Sequence, residues 1–209
     1  MTPYYSKDGI VLYCGDNREI LPELGRFDLL LTDPPYGIGE DGGAQRTRGS
    51  NRKNGPKLGW DSDRPSKDTF NTMLAMTDSQ VIWGGNYFTD LLPVSRGWLY
   101  WQKLMGGDFS DGELAWSSRD AVLKEFTKAK QTANRLHTTQ KPVELFRWCL
   151  NFFPGAETVL DCYIGSGTTL LAAKLEGRQC TGIEISEEYC RIAVERLKQG
   201  VFNFAEADA

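Results

Sequence analysis

Histidine is nearly absent from this 209-residue chain, which has one, and its five cysteines are odd in number and never spaced as Cys-x-x-Cys. That leaves no pattern for a zinc site or a disulfide framework, so no metal is expected. Cys14, Cys149, Cys162, Cys180 and Cys190 read instead as reduced, mostly buried thiols. No segment approaches the roughly 18 to 20 apolar residues of a membrane span. Met1 to Lys7 lacks the apolar region of a signal peptide, so a cytoplasmic protein is expected, with no membrane contact. An excess of positive charge is missing too: the net charge is -4, which gives no overall nucleic-acid footprint. Also absent are a Walker lysine and a complete G-x-G-x-x-G fingerprint.

What is present is a series of short apolar runs closed by polar turns. Ile10 to Cys14, Phe27 to Thr32, Gln80 to Trp83, Trp98 to Gln102, Glu113 to Ser117, Thr158 to Cys162 and Gln179 to Ile183 read as strands. Helical spacing follows Asp16-Asn17, with Ile20, Leu21 and Leu24 inward. It recurs over 68–77, with Phe70, Met73 and Leu74 inward, and over 142–153, 169–175 and 186–197. Strands alternating with helices predict an α/β, Rossmann-like, doubly wound and mostly parallel sheet. The length fits a single domain over 1–209.

One stretch does not fit this alternation. Residues 37–59 mix seven glycines with Arg, Lys, Asn and Ser, and their composition predicts a mobile loop. Arg46, Arg48, Arg52, Lys53 and Lys57 lie there with no acid between 44 and 57, which favours contact with a polyanion. A second basic stretch runs from Arg119 through Lys124, Lys128, Lys130 and Arg135 to Lys141.

Two strand ends carry chemistry. Leu29-Leu30-Leu31-Thr32 stops at Asp33-Pro34-Pro35-Tyr36. The prolines cannot donate to a ladder and fix the backbone, so Asp33 and Tyr36 sit on a stiff turn at the carboxyl end of a buried strand. Ligands of open α/β sheets bind at that edge. A carboxylate, free carbonyls and a flat ring suit a planar amine such as the exocyclic amino group of a nucleobase.

The second is Val159-Leu160-Asp161-Cys162-Tyr163-Ile164-Gly165-Ser166-Gly167, a strand, a glycine turn and a helix start. Glycines let a ligand approach the backbone, and helix amides point at it. Glu184 ends the next strand, seventeen residues after Gly167, where an acid accepts from ribose hydroxyls. Because position 170 is Leu, a nucleoside without pyrophosphate fits better than a dinucleotide. S-adenosylmethionine is the obvious candidate, since its positive sulfonium suits nearby Asp161 and Asp33.

With these motifs in order, the chain resembles the amino methyltransferases of DNA, the N6-adenine/N4-cytosine family. The order is the permuted, beta-type one, with Asp33-Pro34-Pro35-Tyr36 ahead of the Gly165 and Gly167 turn. His137-Thr138-Thr139-Gln140-Lys141-Pro142 resembles the family's His-Pro-Thr-Gln-Lys-Pro segment, with Thr138 in place of the proline. Trp101-Gln102-Lys103, Asp108-Phe109 and Glu113-Leu114-Ala115-Trp116 resemble small phage-type members, and no insertion resembles a separate target-recognition domain. Cys162 and Tyr163 replace the usual Pro-Phe.

The resemblance implies direct methyl transfer from S-adenosylmethionine to a flipped-out base, as in restriction-modification systems. Asp33, Pro34, Pro35 and Tyr36 are the expected catalytic group. Expected cofactor contacts are Asp16, Asp33, His137, Gln140, Lys141, Asp161, Tyr163, Gly165, Ser166, Gly167, Thr168 and Glu184. Asp16 can equally cap a helix, and one residue can do both. Asp33, where cytosine-N4 members more often resemble Ser-Pro-Pro-Tyr, favours adenine N6. Cytosine N4 is the alternative, as is a catalytically weak subunit that holds cofactor or DNA. Carbon-5 methylation is disfavoured because it uses a thiolate, usually after proline, and no Pro-Cys pair exists. The expected partner is DNA, with a homodimer as an open assembly state.

Overall fold

The computed structural model describes residues 1–39, 61–104, 110–129 and 141–199. In chain order they form β1 (Tyr5–Lys7), β2 (Ile10–Cys14), α1 (Asn17–Ile20), β3 (Phe27–Thr32), α2 (Lys67–Ala75), β4 (Thr77–Trp83), β5 (Trp98–Gln102), β6 (Gly112–Ser117) and β7 (Lys124–Thr127). After these come α3 (Val143–Asn151), β8 (Thr158–Asp161), α4 (Thr168–Leu175), β9 (Gln179–Glu184) and α5 (Glu187–Gln199). The basic loop residues Arg46, Arg48, Arg52, Lys53 and Lys57, and the expected cofactor contacts His137 and Gln140, lie outside the described residues.

The nine strands form one sheet in the order β1-β2-β9-β8-β3-β4-β6-β5-β7. Its centre, β2-β9-β8-β3-β4, is parallel throughout. β1 is antiparallel to β2, and β6 is antiparallel to both β4 and β5. The carboxyl-terminal strands β8 and β9 are therefore inserted between β2 and β3.

Central strands buried on both faces need apolar runs rather than alternation, and Leu29 to Leu31, Val81 to Trp83 and Val159 to Leu160 supply them. Leu29 and Leu31, Val81 and Trp83, and Val159 point into a core shared with α3, α4 and α5. Leu30, Ile82 and Leu160 point the other way, onto Ile20, Leu21, Phe70 and Met73 of the α1 and α2 side. Fully burying each such side chain is worth about 1.5–3 kcal/mol. The expected doubly wound sheet is thus present, with an antiparallel extension beyond β4. No helix of the described residues is long and apolar enough to cross a membrane.

Several boundaries differ from the sequence reading. The helix after Asp16 is a single turn, because Pro22 follows and only a 3-10 turn, Leu21–Glu23, continues it. β4 starts at Thr77, which shortens α2; Thr77 pairs with Phe27, and its hydroxyl donates to Met73 O at 3.0 Å. β1 and β7 were not expected. β7 lies within the second basic stretch, where Lys128 pairs with Glu144 at 2.7 Å and the Arg119 guanidinium packs 4.5 Å from the Phe152 ring centre.

Candidate active site

The parallel strands end together on one edge of the sheet. Leu30 pairs with Leu160, and Cys14 with Glu184, so the ends of β3 and β8 are neighbours and those of β2 and β9 are neighbours. Asp33 and Asp161 come side by side from positions 128 residues apart in the chain.

Asp161 is buried, and its carboxylate accepts from Thr32 Oγ1 at 2.7 Å, from the Tyr163 amide at 3.0 Å and from the Thr169 hydroxyl. It ties β3, the glycine turn and the first turn of α4 together from the inside. Burial pushes its carboxyl up to about 6, against these three bonds, which lower it. Between about pH 4 and 6 the folded chain therefore holds a proton that the unfolded chain, at the ordinary 3.8, releases. Stability falls as pH rises through that window, by about 3 kcal/mol for this group. Glu184, also raised by burial, adds a slope of the same sign. Urea unfolding on either side of the window should show the fall, and Asp161→Asn should flatten most of it.

The turn itself is held on two sides. Glu184 accepts from the Gly165 amide at 2.8 Å and the Ser186 amide at 2.9 Å. Arg196 of α5 donates to Ser166 O at 2.5 Å, Ser166 Oγ at 3.0 Å and Thr168 Oγ1 at 3.3 Å. The side chains of Ser166 and Thr168 thus face α5, and a ligand would meet this turn through its backbone. Gly167 has φ +83°, and an added Cβ would lie 2.7 Å from Ala193 Cβ. A side chain at Gly165 would meet nothing within 4 Å, so the turn is open there. Open backbone flanked by Glu184 and Asp16 fits a nucleoside with a cationic group. Asp16 caps α1 through the Arg18 amide at 2.9 Å and pairs with the Arg18 guanidinium. Tyr163 is half-buried between Asp161 and the turn, and burial raises its phenol.

Asp33 and Tyr36 form the other half. The Tyr36 hydroxyl donates to Asp33 Oδ1 at 2.6 Å, and burial and the Asp33 charge raise its phenol far above the ordinary value. The Tyr36 ring stacks on Tyr87, with centroids 4.7 Å apart and planes 15° apart, and meets the edge of Phe88. Gly84, at φ +68°, is required here: an added Cβ would fall 2.0 Å from Tyr36 Cε1. Pro34 is buried beneath the turn. Lys141, read from the sequence as a cofactor contact, reaches Asp33 Oδ2 and the Tyr36 hydroxyl, the latter at 3.2 Å. The same ammonium lies 3.1 Å from Glu113 Oε2, and Glu113 also pairs with Lys103. Burial disfavours the charge on Glu113, but the two lysines outweigh it and hold the carboxyl at about 2.

Tyr87 and Glu113 were not singled out as site residues from the sequence, and Lys103 reads there equally as a phosphate contact or as a neighbour of Trp101. Tyr87 follows Gly84-Gly85-Asn86, which read only as a strand stop. Lys103 and Glu113 flank a hairpin whose register, Gln102 opposite Gly112, puts them together. That register was the signal available.

Comparison with known proteins bears on the family and the fold. The N6_N4_Mtase family model, described as DNA methylase, matches residues 80–195, more than half of the chain. The Type II methyltransferase M2.LlaDCHI of Lactococcus lactis subsp. cremoris is 25% identical, over 95% of this chain and 93% of its own length. M2.DpnII of Streptococcus pneumoniae, also a Type II methyltransferase, is 24% identical over 94% and 92%. Among solved structures, an M1.HpyAVI-SAM complex superposes with a TM-score of 0.60 at 19% identity, covering 90% of this chain and 98% of that one. The cytosine-N4-specific PvuII DNA methyltransferase superposes with a TM-score of 0.64 at 16% identity, covering 93% and 88%.

Proposed function

Because the chain belongs to the N6/N4 DNA methylase family, we propose that it transfers a methyl group from S-adenosylmethionine to the N6 amine of a flipped-out adenine in DNA. The observation that carries this reading is the adjacency of β3 and β8, which sets the Asp33 carboxylate beside the glycine turn. The cofactor, when bound, supplies an electrophilic methyl group on a sulfonium. The Gly165 to Gly167 backbone would hold its nucleoside, Glu184 would accept from the ribose hydroxyls and Asp16 would meet the adenine amine. Asp161 supports the turn from beneath.

An exocyclic amine is a poor nucleophile while its lone pair is delocalised into the ring. Hydrogen bonds from its two N–H groups to the Asp33 carboxylate and the Pro34 carbonyl favour a tetrahedral nitrogen and aim the lone pair outward. Alignment and preorganised electrostatics supply most of the barrier reduction in such a site. Asp33 need not be a strong base, since the proton can leave after transfer.

The Tyr36–Tyr87 stack receives the base, with Tyr87, 38% exposed, on the solvent side. Base–aromatic stacking is worth about 1–3 kcal/mol and offsets part of the few kcal/mol that flipping costs. Arg46, Arg48, Arg52, Lys53 and Lys57 are the proposed phosphate contacts, which would make binding salt-dependent.

Cytosine N4 is the second reading, supported by the cytosine-N4-specific PvuII neighbour. Incubation with unmethylated DNA and labelled cofactor, then digestion and mass spectrometry of the nucleosides, separates the two. The expected product is N6-methyladenine; N4-methylcytosine would overturn the adenine assignment.

A further inference from the structure

Four charges of alternating sign run through the site: Asp33, Lys141, Glu113 and Lys103. The lysine side chains are 5% and 9% exposed, so neither pair is a casual surface contact. A buried ammonium costs several kcal/mol unless an anion accompanies it.

Both Asp33 oxygens are engaged, Oδ1 by the Tyr36 hydroxyl and Oδ2 by Lys141. A target amine that donates to Asp33 must compete with Lys141. A lysine with no other anion in reach would be stranded by losing Asp33, and the competition would favour the lysine. Here Glu113 Oε2 is already 3.1 Å from the same ammonium. We propose that Glu113 is a positioning residue for methyl transfer, the counter-ion onto which Lys141 shifts when the target amine takes Asp33. Lys103 holds the opposite oxygen of Glu113, fixing the carboxylate toward Lys141 and balancing the cluster to zero net charge. Trp83 lines the path of the shift, with its ring centre 5.5 Å from the Lys141 ammonium. The inference rests on the reading of Asp33 as the amine acceptor.

Single-turnover methyl transfer and equilibrium binding of labelled cofactor test it. Glu113→Gln should slow transfer by about 10- to 100-fold while cofactor affinity stays within about twofold. Glu113→Asp, which restores the anion, should recover part of the rate. In a Lys141→Met background, with that protein's own rate as the reference, adding Glu113→Gln should cost nothing more, because the ammonium that Glu113 receives is gone. A wild-type rate in Glu113→Gln overturns the proposal. So does an equal loss from that change in the Lys141→Met background. If Lys141→Met does not fold or has no measurable rate, the comparison of Glu113→Gln with Glu113→Asp decides, and equal rates in those two overturn the proposal. Activity retained in Asp33→Ala would instead overturn the underlying reading. An inactive Asp33→Ala beside an unaffected Glu113→Gln overturns this inference alone.

Discussion

Asp33→Ala should lose methyl transfer by at least about 10²- to 10³-fold, the scale for deleting one preorganised group that stabilises a transition state. Cofactor binding should fall far less, because Asp33 is one expected contact among many. The glycine turn is held by Asp161, Glu184 and Arg196, none of which needs Asp33. The fold should persist, because Lys141 keeps Glu113 as a partner. The expected signature is therefore a loss in single-turnover rate much larger than any loss in affinity for labelled cofactor. An active Asp33→Ala protein would end the amine-clamp mechanism.

The opposite signature is expected of Gly167→Ala. At φ +83° an L-residue is strained, and backbone strain of this kind costs of order 1–3 kcal/mol. The new methyl would also press on Ala193, whose Cβ lies 2.7 Å and whose backbone Cα lies 3.1 Å from it. The backbone of α5 cannot move aside as a flexible side chain can. Either the helix retreats, carrying Arg196 off Ser166 and Thr168, or the turn deforms; both spoil the cofactor cradle. Cofactor affinity should fall by about 10-fold or more, from 1.4 kcal/mol upward. Isothermal titration measures this directly. Near-native affinity in Gly167→Ala would show that the turn does not form the cradle.

The central architecture was legible because its strands obey a simple physical demand. Buried parallel strands need apolar runs rather than alternation, and Leu29 to Leu31 and Val159 to Leu160 supply them. The strand ends were legible too, since Pro34-Pro35 and Gly165-Ser166-Gly167 punctuate the chain where the sheet stops. β7 was not. Lys124 to Thr127 is a short edge strand whose single apolar side chain, Phe126, is too little to form a pattern. The site was read as two motifs, and their support was missed. Lys141 lies in a segment associated with the cofactor, yet its ammonium meets Asp33. Its partner Glu113 reads as an ordinary strand residue: the hairpin register points to Lys103, but nothing local marks a carboxylate that Lys141 will share. Tyr87 is hidden for the same reason: it faces Tyr36 only once β3 and β4 lie parallel.

The insertion of β8 and β9 between β2 and β3 also bears on how the molecule is assembled in time. During synthesis from the amino terminus, β2 and β3 emerge early but are never each other's partners. The two strands that will separate them span residues 158–184 and appear only after more than a hundred further residues. Until then each presents an unpaired edge, a template for wrong pairing. Distant pairings of this kind are slow to form because their loop-closure entropy is paid first. The proposed amine clamp on β3 can exist in outline on the nascent chain, whereas the proposed cofactor cradle cannot. The last strands to emerge are the ones that complete both the sheet and the site.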